Sequence, residues 1–535
     1  MIDVPVLVVG AGPAGMALAL VLDRFGVPSL VVERNATTTT HPKSRGCTAR
    51  TMELFRLWGI EDRVRAGGLP ASSDVVCWCP ALSGPLVATS HPEASVHSPA
   101  PKSIAPQDAV EEALADALAG RPGADVRRET ELVTFSADAE GVTARIRSLA
   151  DGTETDVRAA YLVGCDGSSS QVRRALGIAM EGPDTLARMV SHYVRADLSH
   201  LPHARGAVGY MVRPDDPAVP STSVLATGPD GDRWILMQRL SEDEEPMTAD
   251  AVVALLREQW AMPELEVELI NVMPWRISAQ VAERFRDGRV FLAGDAAHRF
   301  PPSGGQGLNS GVQDAHNLAW KLATVLHGAA PEKLLDSYEA ERRPVAESNT
   351  AFSVGNLGRI RQVEAAFLHR DEDPLGWRAA LVDQDDHLNS EGQGMGFVYA
   401  RGAVVDDGSP LPPPDSRYYW PTDRPGARFP HMWLDPERSA STLDWFDTSF
   451  VLVCGPDATG WRAAGEGLAD RLGPVLQVRV LAGLYGPLTI GTEGAVLVRP
   501  DGHVAWRSTT AGDGTELRRA WDEILAGGAL VAAGR

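Results

Sequence analysis

The chain has 535 residues, 44% of them apolar and 23% charged, an ordinary globular composition that excludes disordered, collagenous and disulfide-stapled classes and leaves room for about three domains. Its net charge of −21 opposes tracking along a phosphate backbone or an anionic bilayer, so neither nucleic acid nor membrane is expected as a partner. Five scattered cysteines, no basic and apolar leader, and no unbroken apolar stretch of about 18 residues point to reduced thiols and a cytoplasmic setting. Cys77-Trp-Cys79 lacks a second ligand pair at zinc spacing, and no metal site is expected.

Residues 4–9 are a short Val-rich run, the pattern of a strand buried on both faces of a parallel sheet. Gly10-Ala-Gly12-Pro-Ala14-Gly15 follows, then an apolar helix ending near Gly26 and a second buried strand, Ser29–Glu33. In such a βαβ unit Gly10 allows the tight turn, Gly12 lets backbone amides approach a pyrophosphate, and Gly15 lets helix and strand pack closely. Glu33, 23 residues after Gly10, stands where a carboxylate accepts hydrogen bonds from an adenosine ribose. Ala14 in the turn and Arg34 beside Glu33 join the candidate cofactor-binding residues. The fingerprint predicts a dinucleotide without separating NAD from FAD.

A strand at Ala160–Val163 runs into Gly164-Cys-Asp166-Gly167-Ser-Ser-Ser-Gln-Val-Arg173, where an isolated Asp-Gly reads only as a turn. Residues 181–285 are rich in strand-like segments, such as Ser221–Leu225 and Arg233–Leu240, and predict an inserted, mostly antiparallel sheet. Tyr210, Met211, Trp234, Leu236 and Met237 occur on these segments and are the candidates to line a substrate pocket. A further buried strand, Arg289–Ala293, presents Gly294-Asp295, a carboxylate better placed for ribityl hydroxyls than for phosphates. The loop through Pro301, Gly304, Gly305 and Gly307 to Leu308 and Asn309 opens a helix whose positive end suits a reduced flavin ring. Helical patterns follow at about 312–327 and from Leu334 into the 360s. Residues 401–428, rich in proline, read as a linker, and strands near Ser449–Val453, Ala495–Val498 and Val504–Arg507 mark a third α/β unit.

These segments, together with Ser44-Arg45-Gly46, Thr51–Phe55, Gln107, Trp320-Lys321-Leu322, Leu335–Glu339 and Glu341-Arg342-Arg343-Pro344, resemble the FAD-dependent aromatic hydroxylases of the para-hydroxybenzoate hydroxylase superfamily. Residues 426–507 resemble the C-terminal thioredoxin-like domain of phenol hydroxylases and of tailoring hydroxylases acting on aromatic natural products, here without a C-x-x-C pair. The resemblance implies an α/β fold with a Rossmann-like FAD-binding domain (1–180 and 286–400), an inserted substrate-binding β-sheet (181–285), a linker (401–428) and a thioredoxin-like domain (429–535).

The resemblance also implies FAD as cofactor, NADPH or NADH as cosubstrate, and insertion of one atom of O2 into an electron-rich aromatic ring through a flavin C4a-hydroperoxide. Antibiotic biosynthesis on a polycyclic natural-product intermediate is the leading expectation. A catabolic phenol-type hydroxylase, a Baeyer–Villiger-type oxygenase and a flavin-binding protein without turnover stay open, as does a homodimer. By the same likeness Glu33, Ser44, Arg45, Gln107, Asp166, Gly167, Gly294 and Asp295 line the cofactor, the amides of Leu308 and Asn309 face the flavin ring, and Arg45 and Pro301 stand nearest the chemistry. His298 is expected to fix its loop rather than act as a base.

Overall fold

The Val-rich strand Ile2–Val9 lies at the centre of a mixed eight-stranded sheet, flanked in parallel by Ser29–Val32 and Glu154–Gly164. Ala124–Arg127 extends the parallel set beyond Ser29–Val32, and Val290–Leu292 beyond Glu154–Gly164. The hairpin Thr130–Ala137 and Val142–Ser148 joins it in antiparallel fashion through Glu154–Gly164. Its central strands are apolar and buried on both faces because helices cover them, as a parallel sheet requires. The helix Pro13–Arg24 is buried from Gly15 to Leu22 and packs against the 21-residue helix Gln306–Leu326, both belonging to the main core. This computed structural model describes residues 1–528 except 92, 94, 199–206, 216–220, 261, 385–387, 482 and 484–485.

The second sheet has seven strands, in the order Glu268–Ile277, Ala187–Arg195, Arg233–Leu240, Thr222–Thr227, Gly209–Val212, Val76–Cys79 and Ala88–Ser90. Its last two strands come from residues 76–90, so the expectation of a sheet confined to 181–285 is incomplete. A parallel pairing of Gly209–Val212 with Val76–Cys79, between segments remote in sequence, carries no local periodicity signal. One face of this sheet is covered by the helix Ala249–Gln259.

The third unit runs strand Phe450–Cys454, helix Thr459–Leu472, strand Leu476–Val480, strands Ala495–Val498 and Val504–Ser508, and helix Gly514–Leu525. Its first two strands are parallel and the last two antiparallel, the βαβ–ββα order of the thioredoxin fold. Cys454 is wholly buried at its strand end and burial pushes its thiol to about 12, which suits packing rather than thiol exchange. The segment expected as a linker is not a solvated tether at its C-terminal end. Asp423 and Arg428 are buried, Asp423 accepting from the amides of Thr489 and Ile490 and from Arg507, so ion pairs hold this proline-rich strap against the domain.

The glycines of the first turn divide by function. Gly10 has φ +102°, and a β-carbon there would lie 2.4 Å from the carbonyl oxygen of Cys165; one on Gly15 would lie 2.0 Å from that of Gly10. A β-carbon on Gly12 would meet open space. Gly10→Ala is therefore expected to destabilise the cofactor-free chain by about 2 kcal/mol or more in denaturant titration, from positive-φ strain and the close approach. Gly12→Ala is expected to leave that midpoint unchanged and to weaken FAD binding, read by flavin fluorescence, about tenfold or more.

Candidate active site

The turn at Gly10–Gly15 leaves a helix N-terminus open. No side chain caps Gly12, and Pro13, which has no N–H to satisfy, occupies the first helical position. The free amides of this turn and the helix dipole can bind a pyrophosphate. The Glu33 carboxylate accepts from the Ala11 amide at 2.9 Å and from the Asn35 amide at 2.8 Å, which fixes it beside the turn with lone pairs left for ribose hydroxyls. Arg34 is exposed next to it. Ala14 is a packing residue: its β-carbon lies 3.1 Å from where a β-carbon on Gly294 would stand and 3.3 Å from the corresponding place on Gly311. The two-glycine contact brings the Gly294-Asp295 turn and the long helix against the first turn.

Asp166 caps the short helix Gln171–Ala175, its Oδ2 accepting from the amides of Gln171 at 2.6 Å and Val172 at 3.0 Å. Gly167, at φ +75°, makes the turn that this cap needs. Arg173 then donates to the carbonyl of Ala296 at 3.2 Å, tying this segment to the Gly294-Asp295 loop. Asp295 is exposed at the turn while protein closely surrounds it. That burial raises its carboxyl above the ordinary range, and His298, Lys43 and Arg299 pull the other way.

Behind Asp295 stands a buried carboxylate that sequence reasoning missed. Asp314, on the helix Gln306–Leu326, accepts from the Gly294 amide at 3.2 Å, His298 Nε2 at 2.7 Å and Arg342 Nε at 2.8 Å. His298 also stacks on Phe300 with ring centroids 4.5 Å apart, so it fixes the loop leading to Pro301, as expected. A lone acidic residue within an otherwise buried helical stretch was the available signal. Pro301 is buried and Gly305, at φ +63°, turns the chain into the helix. A β-carbon on Gly307 would meet open space, whereas Leu308 is partly packed on the core.

Asn309 is a structural staple: its Nδ2 donates to the carbonyls of Gly46 at 3.0 Å and Gly305 at 2.5 Å, and its Oδ1 accepts from the Thr48 amide at 2.9 Å. The 41–48 segment is thereby bound to the helix start. Ser44 accepts from the Gln107 amide at 2.8 Å, and Gln107 Nε2 donates to Glu111, which also accepts from the Thr39 amide. Arg45 Nη1 donates to the Val208 carbonyl at 3.2 Å, and burial lowers its guanidinium to about 10, still cationic at neutral pH. His41 Nδ1 bonds Asn271 Oδ1 at 2.6 Å and its ring meets Tyr193 edge-on. Asn271, Tyr193, Ile235, Leu225 and Gly209 are successive cross-strand neighbours, so the loop from His41 to Arg45 crosses the second sheet along this row.

That contact decides which face of the sheet the His41–Arg45 loop covers. Met211 and Met237 pack with Tyr193, Leu225 and Ile235 on the side of the His41–Arg45 loop and are half-buried. Tyr210, Trp234 and Leu236, also named as pocket candidates, lie on the opposite face. They are sealed into the core formed with Val252, Leu256 and Trp260 of the covering helix. Strand alternation separates the two sets, because residues one apart point to opposite faces. Among the described residues no helix is long and apolar enough to cross a membrane.

Residues 3–353 match the FAD binding domain family and residues 422–527 the C-terminal domain of aromatic-ring hydroxylases. The chain is 36% identical to tetracenomycin B2 monooxygenase-dioxygenase of Streptomyces olivaceus, over 96% of this chain and 97% of that protein. It is also 36% identical to aklavinone 12-hydroxylase RdmE of Streptomyces purpurascens, over 95% and 96%. The flavin-dependent monooxygenase PieE, solved with FAD and substrate, superposes with a TM-score of 0.91 at 33% identity, covering 98% of this chain and 99% of that one. The chain belongs to the FAD-dependent aromatic-ring hydroxylases, and its activity is that of a flavoprotein monooxygenase. The open turn at Gly12, the uncapped helix and the exposed Asp295 fit the cofactor that this family binds.

Burial opposes ionisation of Asp314, but the His298 and Arg342 charges outweigh it and hold the carboxyl at about 2. Its folded pKa lies below that of the unfolded chain, so its stabilisation is full above about pH 4 and is lost as pH falls toward 2, amounting to about 2 kcal/mol. Asp314→Asn is expected to lower stability at neutral pH by about 3 kcal/mol through the unpaired Arg342, and to flatten the acid limb between pH 4 and 2 in denaturant titrations.

Proposed function

We propose that this monooxygenase hydroxylates an electron-rich polycyclic aromatic compound held between the second sheet and the flavin, with NADPH as electron donor. The row Met273, Ser191, Met237, Ser223 and Met211 carries this reading, for it runs through cross-strand neighbours on the face met by the His41–Arg45 loop and ends where Trp78 is packed against Phe367 and Trp377. Met273 to Met211 spans four strand spacings, roughly 19 Å, wide enough for several fused rings and far more than one benzene ring fills. Met273, Met237 and Met211 are half-buried, and unbranched thioethers adapt to flat apolar faces. The Ser191 hydroxyl accepts from Trp275 Nε1 at 2.9 Å and that of Ser223 lies 3.3 Å from Met211 Sδ, which leaves the row mainly apolar. The names of the relatives, tied to tetracenomycins and aklavinone, support the same class of natural product.

When bound and reduced by the nicotinamide donor, FAD activates O2 and supplies one oxygen atom to the ring while the other leaves as water. The protein binds and orients. The amides at Gly12–Gly15 hold the pyrophosphate, Glu33 the ribose, and Asp295 the ribityl chain. The N-terminus of the helix Gln306–Leu326 would offer its positive end to negative charge on the cofactor when it is reduced. Arg45 would supply a cation between the cofactor loop and the sheet, and buried Pro301 would hold the loop that meets the cofactor. The apolar row keeps water from the cleft, which limits loss of the activated oxygen as peroxide.

NADPH consumption by the FAD-loaded enzyme is expected to rise roughly tenfold or more with hydroxylated polycyclic aromatics, with one oxygen atom added to the product by mass, and far less with single-ring phenols. Equal acceleration by simple phenols would favour catabolic chemistry, and no acceleration by any aromatic would overturn the proposal. Met237→Trp is expected to lower kcat/KM for the best polycyclic substrate about tenfold while leaving FAD affinity unchanged.

A further inference from the structure

The third domain sends one buried loop, Arg499–His503, between the two helices whose N-terminal ends flank the cofactor loop. From the helix Gln306–Leu326, Asn317 Nδ2 and Trp320 Nε1 donate to Asp501 Oδ2 at 3.2 and 3.3 Å. From the helix Ala49–Trp58, Arg50 Nη2 donates to the carbonyl of the same Asp501 at 2.6 Å. Arg499 braces the Asp501 carboxylate, its Nε lying 3.0 Å from Oδ1, and pairs with Glu341, which also takes Lys321 at 2.7 Å. Asp501 and Arg50 are each at most 5% exposed. The same two helices meet a second time at their N-terminal ends, where the Thr48 amide donates to Asn309 Oδ1. Asn309 and Asn317 are eight residues apart, a rise of about 12 Å along the helix.

The helices also touch where the Trp58 ring meets His316 edge-on, with centroids 5.8 Å apart, and the two hydrogen-bonded links about 12 Å apart fix their angle about that packed contact. We propose that Asp501 is a positioning residue. Through it the third domain acts as a clamp that sets the spacing of residues 46–52 and 304–311 and so the seat of the flavin ring. The proposal rests on the FAD site described above but not on the identity of the substrate. It assigns the domain a mechanical part that needs no reactive thiol.

The test uses the full chain as wild type, Asp501→Ala, Asp501→Asn and a control, Asp447→Ala, which removes an ion pair to Arg24 across the same domain boundary. Amide hydrogen exchange without cofactor, FAD affinity by fluorescence and the visible flavin spectrum are measured for each. Asp501→Ala is expected to speed exchange in 46–52 and 304–311 roughly tenfold or more, to weaken FAD binding about tenfold and to shift the flavin band. Asp501→Asn, which keeps a carbonyl acceptor, falls between, with acceleration in the same two segments, and Asp447→Ala changes none of the readouts. A folded Asp501→Ala with wild-type exchange and affinity overturns the clamp, as does an Asp447→Ala of equal effect. Should Asp501→Ala fail to fold, Asp501→Asn decides: acceleration confined to the two segments supports the clamp, while uniform acceleration or none overturns it. A wild-type chain that took up no FAD would overturn the flavin site itself, and the cofactor-free exchange would still decide the clamp.

Discussion

The carboxylate of Asp314 is the point from which the active site hangs. It is sealed from solvent on the helix Gln306–Leu326, and its oxygens are taken by Gly294, His298 and Arg342. A buried charge without partners is costly, and removing one member of a buried pair typically costs about 3–5 kcal/mol, so each partner is held in place by the others. Gly294 sets the turn that presents Asp295, His298 sets the path to Pro301, and Arg342 anchors the helix Asp336–Leu368. One acidic side chain thus couples the cofactor loop to the scaffold.

Around that point, close packing and openness are assigned to different glycines. Gly10, Gly15, Gly294 and Gly311 sit where a β-carbon would press on a neighbour, within about 3.3 Å in every case, and they let strand, helix and loop converge. Gly12 and Gly307 face space, and there the backbone is free to approach a ligand. Ala14, a candidate cofactor contact, packs its β-carbon against Gly294 and Gly311 while its amide lies at the open helix start. Asp166 and Asn309 likewise act by holding the site's own backbone, Asp166 as a helix cap and Asn309 as the link between two segments. A cofactor seat of this kind is made as much by residues that fix loops as by residues that reach the ligand.

Much of this was legible in the chain before folding. The turn at Gly10–Gly15, Glu33 and the Gly294-Asp295 strand end are local motifs, the strands of the third α/β unit are local patterns, and the family resemblance supplied the thioredoxin-like reading of that unit. The sheet was legible only in part. Val76–Cys79 joins it by pairing with Gly209–Val212, more than a hundred residues away, and brings Ala88–Ser90 along as its own antiparallel neighbour; nothing local marks either as a member. Of the five pocket candidates, Met211 and Met237 share the face met by the His41–Arg45 loop, while Tyr210, Trp234 and Leu236 turn to the covering helix. Alternation separates the two sets, but a strand pattern by itself does not say which face a helix will cover.

The sequence by itself determined the βαβ unit, its cofactor class and the absence of a thiol pair in the third domain, because those properties reside in residues a few positions apart and follow from backbone geometry and side-chain chemistry. Only the tertiary structure decided which methionines share the face of the sheet met by the His41–Arg45 loop, which carboxylates are buried, and how Asp501 comes to bond Asn317, 184 residues away. Contacts of that kind depend on register and on the docking of whole elements. Their energy is realised only when both partners leave water together.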